Sequence, residues 1–331
     1  MRRVFLTHPR EALESYFGAK ALAALKAIAE VALNPHDREL SVGELAEHAR
    51  KSDIIISYRQ TPGTSELFGM LPRLVAFSRC AVDIRYIDVA AASTRGILAT
   101  QASGDFVNAV SEWTIGAMID LSRNIAVSTV AYHAGHVPAA TMGRELRGST
   151  LGVIGYGRIS RALCKLASAF GMRILVADPY AQAGGAAIEH VDLRQLLAES
   201  DYVVCLAIAN EETENLMNDA CFKAMKPGAF FINPSRGNLV DESALMHALD
   251  DGRLSGFAMD VGRAPDQMPS PALAHHPKVI ATPHIGGLTP AAIEPKALET
   301  VAQAADILQG RLPSGAVNPA QATRLARFRK A

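Results

Sequence analysis

No stretch of this 331-residue chain is apolar for the roughly 20 consecutive residues that a membrane crossing needs. Neither sign of charge is in excess. The 33 Lys and Arg are matched by 33 Asp and Glu, so composition offers no case for nucleic acid or an anionic membrane as partner. Cysteine is scarce: Cys80, Cys164, Cys205 and Cys221 form no Cys-x-x-Cys pair, and three of them sit inside apolar runs. They read as reduced, partly buried thiols rather than redox or zinc groups. The pairs His133/His136 and His275/His276 lack a suitably spaced carboxylate or thiol, so no metal is expected. The apolar run after the N-terminal Met-Arg-Arg is only Val4-Phe5-Leu6, too short for a signal peptide. These absences leave a cytoplasmic globular protein as the expectation.

The length suggests two domains. "RVFLT", "DIIISY", "LVAFS" and "GILAT" read as short strands, and "REALESYFGAKALAALKAIAE" has helical periodicity. Such alternation predicts a parallel sheet with helices on its faces. A helical pattern over 108–133 carries more apolar residues than one solvent-facing helix needs, so it is expected to link domains or to pack on a partner subunit. A second alternation follows, with strands in "TLGVIGY", "RILVADP", "YVVCLAI", "AFFINPS", "FAMDV" and "VIATPH", enough for a full dinucleotide-binding sheet. "AGGAA" near residue 185 reads as a loop. The helical stretch after Gly287 is expected to return to the first domain.

"LGVIGYGRIS" carries Gly155-x-Gly157-x-x-Ser160 between a predicted strand and a predicted helix, the context in which this motif cradles a pyrophosphate. Gly155 would permit the tight turn and Gly157 the close approach of backbone to phosphate. Ser160 replaces the usual third glycine or alanine at a helix-packing position, a change expected to be tolerated. Asp178 follows the next strand, 23 residues after Gly155. A carboxylate there would bind the adenosine ribose hydroxyls and repel a 2′-phosphate, which favours NAD over NADP.

The run from "ELRGSTLGVIGYGRIS" through "MKPGAFFINPSRGNLVDESALMHALDDGRLSGFAMDV" to "ATPHIGGLT" resembles the D-isomer-specific 2-hydroxyacid dehydrogenases over about residues 50–310. That resemblance implies an α/β fold of two doubly wound parallel-sheet domains. A Rossmann NAD domain, residues 105–287, would be inserted into a flavodoxin-like substrate domain made of 1–104 and 288–331. It implies substrate binding and polarisation by Arg236, proton transfer by His284, and a hydrogen bond from the nicotinamide carboxamide to Asp260. Arg236 also suits the task chemically, since a guanidinium can grip a carboxylate and its neighbouring carbonyl oxygen together. Cofactor contacts are further expected from Tyr156, Arg158, Ile159, Ile208 and Ala209. Pro234, Ser235, Arg236, His284 and Gly287 complete that set. Substrate contacts are expected from Ala81 and Val82 besides Arg236 and His284.

Several positions depart from the family pattern. In "MDVGRAPDQMP" a gapless alignment puts Pro265 where the family has the glutamate that pairs with the catalytic histidine. One inserted residue would put Asp266 there instead. Asp266 is the preferred partner, fixing the His284 tautomer and favouring its charged form; the alternatives are Gln267 or an unassisted His284. In "SRCAVDIRYID" the glycines of the family's carboxylate-binding loop are replaced by Ala81 and Asp83, and Asp83 and Arg85 bring new charges. Ala207 and Ala209 replace the family's His and Pro beside the cofactor. The reading is therefore an NAD-dependent oxidoreductase of a small D-2-hydroxy or 2-oxo acid, as a homodimer. Its rivals are a non-catalytic NAD-binding sensor or corepressor and a formate- or phosphite-type dehydrogenase. No regulatory domain is expected after residue 310.

Overall fold

The computed structural model describes residues 2–181 and 188–329. The Ala/Gly stretch at 183–187 lies outside the described residues. By internal contacts the chain forms two units, Met1–Asp105 with Leu288–Ala331, and Phe106–Gly287.

The first unit holds a five-stranded parallel sheet of β1 (Arg3–Leu6), β2 (Glu30–Leu33), β3 (Ile54–Ser57), β4 (Ala76–Arg79) and β5 (Leu98–Gln101). Its order, β2-β1-β3-β4-β5, is the flavodoxin-like one. The central strands are buried on both faces, and so they read as unbroken apolar runs such as Ile54-Ile55-Ile56. The helix Pro290–Leu308 starts with a Thr289 cap and proline at its first position. It lays Ala297, Val301, Ala304 and Ile307 against Val4, Leu6, Ile54 and Ile56 of the sheet.

The second unit holds a seven-stranded parallel sheet of β6 (Thr150–Ile154), β7 (Arg173–Ala177), β8 (Glu189–His190), β9 (Tyr202–Cys205), β10 (Ala229–Asn233), β11 (Leu254–Met259) and β12 (Val279–Ala281). The order β12-β11-β10-β9-β6-β7-β8 reverses between β6 and β9, as in dinucleotide-binding sheets. Helices cover both faces of the sheet. Leu196, Phe222 and Leu245 pack on one side, and Met118, Leu121 and Leu163 on the other.

Three local expectations need correction. The helical pattern that begins at Arg10 is two helices, Arg10–Tyr16 and Ala19–Ile28, interrupted at Gly18, and Glu30 already belongs to β2. The pattern over 108–133 is also two helices, Val107–Arg123 and Ile125–His133, divided at Asn124, whose φ of 53° is left-handed. The first buries Val110, Ile115, Met118 and Leu121, whereas the second buries no residue. The two-residue strand β8 was not expected at all. Among the described residues no helix is long and apolar enough to cross a membrane. Burial pushes the Cys164 and Cys205 thiols up to about 12, so neither is a nucleophile at neutral pH.

Candidate active site

Parallel strands bring their carboxyl ends to one edge of a sheet, so the loops after β6, β7, β9, β10, β11 and β12 emerge together. Every candidate site residue of the second unit lies in one of these loops or at the helix start after β6.

The turn after β6 depends on Gly155, whose φ is +87°. A Cβ there would come within 2.8 Å of the Leu206 carbonyl oxygen and 2.9 Å of the Ala207 nitrogen, because the loop after β9 presses on it. Gly157 is different, since a Cβ there would have nothing within 4 Å. It caps the twelve-residue helix Arg158–Ala169 and brings no capping side chain to the first N–H groups. Open space in front of uncapped amides is what a pyrophosphate requires. Asp178 accepts from the Tyr156 amide at 2.6 Å and from the Tyr180 and Ala181 amides at 2.8 and 3.1 Å. It therefore ties the glycine turn to the end of β7. The Tyr156 ring is buried in the core against His190, which leaves its main chain for any ligand. Arg158 is exposed and Ile159 half-buried. The Ser160 side chain is buried and its hydroxyl has no hydrogen-bond partner among the described residues, the cost of serine at the packing position.

After β9, Ile208 is exposed and Ala209 half-buried. After β10, Pro234 is buried, and the Ser235 hydroxyl donates to the Ala207 carbonyl at 3.1 Å, which joins the two loops. Sequence reasoning missed Asn233. Its side chain accepts from the Ser235 amide at 3.1 Å and donates to the Arg236 carbonyl at 2.8 Å, so it clamps the turn that presents Arg236. An asparagine before proline at a strand end was the available signal. The half-buried Arg236 guanidinium donates to the Ser235 carbonyl at 2.8 Å.

Gly237 packs backbone to backbone on the loop after β11. A Cβ on it would come within 2.1 Å of the Gly262 carbonyl carbon. Gly237→Ala is therefore expected to lower the unfolding free energy by about 1–3 kcal/mol or more. A drop in the denaturant midpoint at constant m checks this.

Asp260 is 3% exposed, and its carboxylate holds three donors. It accepts from the Thr282 hydroxyl at 2.6 Å and from the Ile285 and Gly286 amides at 2.8 and 2.7 Å. Asp260 thus fastens the turn that holds His284, whose φ of 56° is unusual for a residue with a side chain. Farther along the same loop, Asp266 and Gln267 both have φ of 58°, and the Met268 amide donates to the Pro265 carbonyl at 3.3 Å, a type I′ turn. The turn brings Asp266 beside His284 through its main chain. His284 Nδ1 lies 3.4 Å from the Asp266 carbonyl oxygen. Arg263, another residue missed, anchors the loop by an ion pair to Glu214 at 2.8 Å and bonds to the Val240 carbonyl.

In the first unit, residues 81–86 take no positive φ, so the loop does without the two family glycines. Asp83 and Arg85 pair with each other at 2.8 Å. Ala81 is half-buried and Val82 is 48% exposed, open to a ligand.

Residues 115–286 match the model of the D-isomer specific 2-hydroxyacid dehydrogenase, NAD binding domain. The chain belongs to the D-isomer specific 2-hydroxyacid dehydrogenase family. NAD is accordingly the cofactor of the second unit, and the open, uncapped turn at Gly157 fits it. One relative of this family member is a D-3-phosphoglycerate dehydrogenase of Methanocaldococcus jannaschii, 32% identical over 89% of this chain and 57% of that one. Another is a glyoxylate reductase of Thermococcus litoralis, 31% identical over 83% of this chain and 86% of that one. Among solved structures, the TT0316 protein of Thermus thermophilus superposes with a TM-score of 0.81 at 28% identity, covering 95% of this chain and 99% of that one. The chain spans about half the length of the first curated relatives it matches.

Proposed function

We propose that this protein is an NAD-dependent oxidoreductase that interconverts a small D-2-hydroxy acid and its 2-oxo acid. The observation that carries the reading is the placement of Arg236 and His284. They follow β10 and β12, which flank β11, on the sheet edge that also carries the Gly155 turn. A cation and a proton donor thus share the edge that holds the cofactor.

Bound NADH supplies the hydride. Gly155, Gly157 and the start of the helix at Arg158 hold its pyrophosphate, and Asp178 holds the adenosine ribose. Arg236 grips the substrate carboxylate and carbonyl oxygen and stabilises the charge that builds on that oxygen. His284 gives the oxygen its proton and takes it back in the reverse direction. Because a carbonyl oxygen can only accept, the Asp266 main chain favours a proton on Nδ1 and leaves Nε2 to face substrate. The Asp266 carboxylate, carried by the same residue, favours the charged imidazole. Residues 1–104 with 288–331 are the substrate domain, and Ala81 and Val82 belong to it.

The helix Ile125–His133 buries no residue and exposes Ile125, Val127, Val130 and Tyr132 around its girth. So much exposed apolar surface fits a homodimer better than free solvent. Four free cysteines, three of them buried, suit the reducing cytoplasm.

The test is NADH oxidation with a panel of 2-oxo acids that includes glyoxylate, pyruvate and hydroxypyruvate. Turnover of at least one is expected. Tight NADH binding with no turnover across the panel would replace this reading by a sensor, and NAD reduction by formate or phosphite alone would replace it by that class of dehydrogenase.

A further inference from the structure

The loop after β11 closes on itself. The Gly262 amide donates to the Gln267 carbonyl at 3.0 Å, and the Ala264 amide to the Met268 carbonyl at 3.1 Å. Ala264 and Met268 pair as an antiparallel bridge. Residues 262–268 are thus a miniature hairpin with the left-handed pair Asp266-Gln267 at its tip. The fold-back needs glycine at its base, since a Cβ on Gly262 would come within 2.7 Å of the Met268 carbonyl oxygen and of the Pro269 Cα. These bonds fix the shape of the hairpin. They do not fix where its tip lies, and the tip carries the Asp266 carbonyl oxygen that sits 3.4 Å from His284 Nδ1.

Arg263 reaches out of the hairpin to the rest of its unit. Its Nε donates to the Val240 carbonyl at 3.1 Å. Its Nη2 donates to the Asn238 and Val240 carbonyls at 3.1 and 3.0 Å and to the Asn215 side-chain oxygen. Its Nη1 lies 2.8 Å from the Glu214 carboxylate. Two segments receive these bonds. Residues 238–240 follow Arg236 through the short turn Gly237–Leu239, and residues 214–215 follow the turn Glu211–Thr213 beyond β9. The segments are also tied to each other, since the Asn215 and Met217 amides donate to the Asn238 and Leu239 carbonyls, each at 2.9 Å.

The carbonyl bonds matter more than the ion pair. The Arg263 and Glu214 side chains are 34% and 41% exposed, and a pair so open to water contributes little. A planar fork laid across two main-chain carbonyls is directional, and those carbonyls move only if their segment moves.

We propose that Arg263 is a positioning residue for the acid–base step: its guanidinium fastens the hairpin to the segment that follows Arg236, which keeps the Asp266 carbonyl on Nδ1 of His284 and leaves Nε2 for substrate. The proposal rests on the dehydrogenase reading, in which His284 moves the proton. Arg263 thereby keeps the turn of Arg236 and the partner of His284 in one register.

The test compares the full chain as wild type, Arg263→Met and Arg263→Lys. Methionine removes every donor. Lysine restores a charge for Glu214 without the fork. NMR of the imidazole nitrogens reads the tautomer of neutral His284, and His284→Asn assigns its signals by their loss. Wild type should carry the proton on Nδ1, because the nitrogen that is protonated is set by the bond it makes. In Arg263→Met the Nε2-protonated form should become the major one. With the best 2-oxo acid, kcat should fall roughly tenfold to hundredfold while KM for NADH stays within about twofold, the pattern of a displaced group rather than a lost cofactor site. Arg263→Lys carries the same expectations, and it keeps the test decisive if circular dichroism shows that Arg263→Met does not fold. A tautomer shift in a chain that reduces no 2-oxo acid supports the positioning of His284 by Arg263, and the dehydrogenase reading alone then fails. A wild-type tautomer in a folded variant, or an unchanged kcat in an active one, overturns the proposal and leaves the dehydrogenase reading intact.

Discussion

Replacing His284 with asparagine is expected to lower kcat/KM for the 2-oxo acid by roughly 10²–10⁴-fold, the usual contribution of a positioned acid–base group. Asparagine is the informative substitution. His284 sits at a φ of 56°, where asparagine is among the few side-chain-bearing residues at ease, so the turn held by Asp260 should survive. An amide keeps a hydrogen bond to substrate but cannot donate a proton and recover it. The loss should therefore appear mainly in kcat, and NADH affinity, read by fluorescence titration, should fall far less. Equal turnover in the variant and the wild type would remove His284 from the chemistry.

The second large effect is expected at Arg236. Arg236→Lys keeps the charge but replaces a planar fork with a single ammonium, which cannot meet a carboxylate and a carbonyl oxygen side by side. It also gives up the guanidinium bond to the Ser235 carbonyl that orients the side chain. If Arg236 stabilises the developing oxyanion, kcat/KM should fall on the order of 10²–10³-fold, about 2.7–4 kcal/mol of transition-state stabilisation. KM for the 2-oxo acid should rise as well, because the same fork binds the ground-state carboxylate. A variant in which KM rises and kcat stays would mark Arg236 as a binding residue only. Steady-state kinetics at saturating NADH separates the two outcomes.

Much of this was readable before any coordinates. The glycine turn, the strand before it and the acid after β7 are local features, fixed by short-range sterics and by alternation of apolar and polar residues. Arg236, His284 and Asp260 were singled out because each follows an apolar strand within a motif that resembles the family's, and the strands are where that reading put them. The features that escaped depend on partners distant in sequence. β2 and β8 are edge strands with little β signal of their own, and each exists because a neighbour offers a ladder. Asn233 and Arg263 act through bonds to main-chain groups that no pattern announces. The breaks at Gly18 and Asn124 lie within good helical periodicity, where a single residue in an unusual conformation overrides its neighbours. The same is true of Asp266-Gln267. Two consecutive left-handed residues turn a carbonyl toward the imidazole, and composition does not foretell that. The loss of glycine at residues 81 and 83 looked disruptive in the sequence, yet the backbone there never needs a positive φ.

The path of the chain through its two units sets an order of events at the ribosome. β1 and its neighbours are made first, but Ala297, Val301, Ala304 and Ile307 of their core come last. At ordinary elongation rates about 200 residues separate the two, a wait of roughly 10–40 s. Making residues 106–287 takes up nearly all of that interval, and near its end they can fold as a unit. The nascent N-terminal sheet meanwhile keeps an apolar face uncovered, and it is the part of the newborn protein most in need of a chaperone.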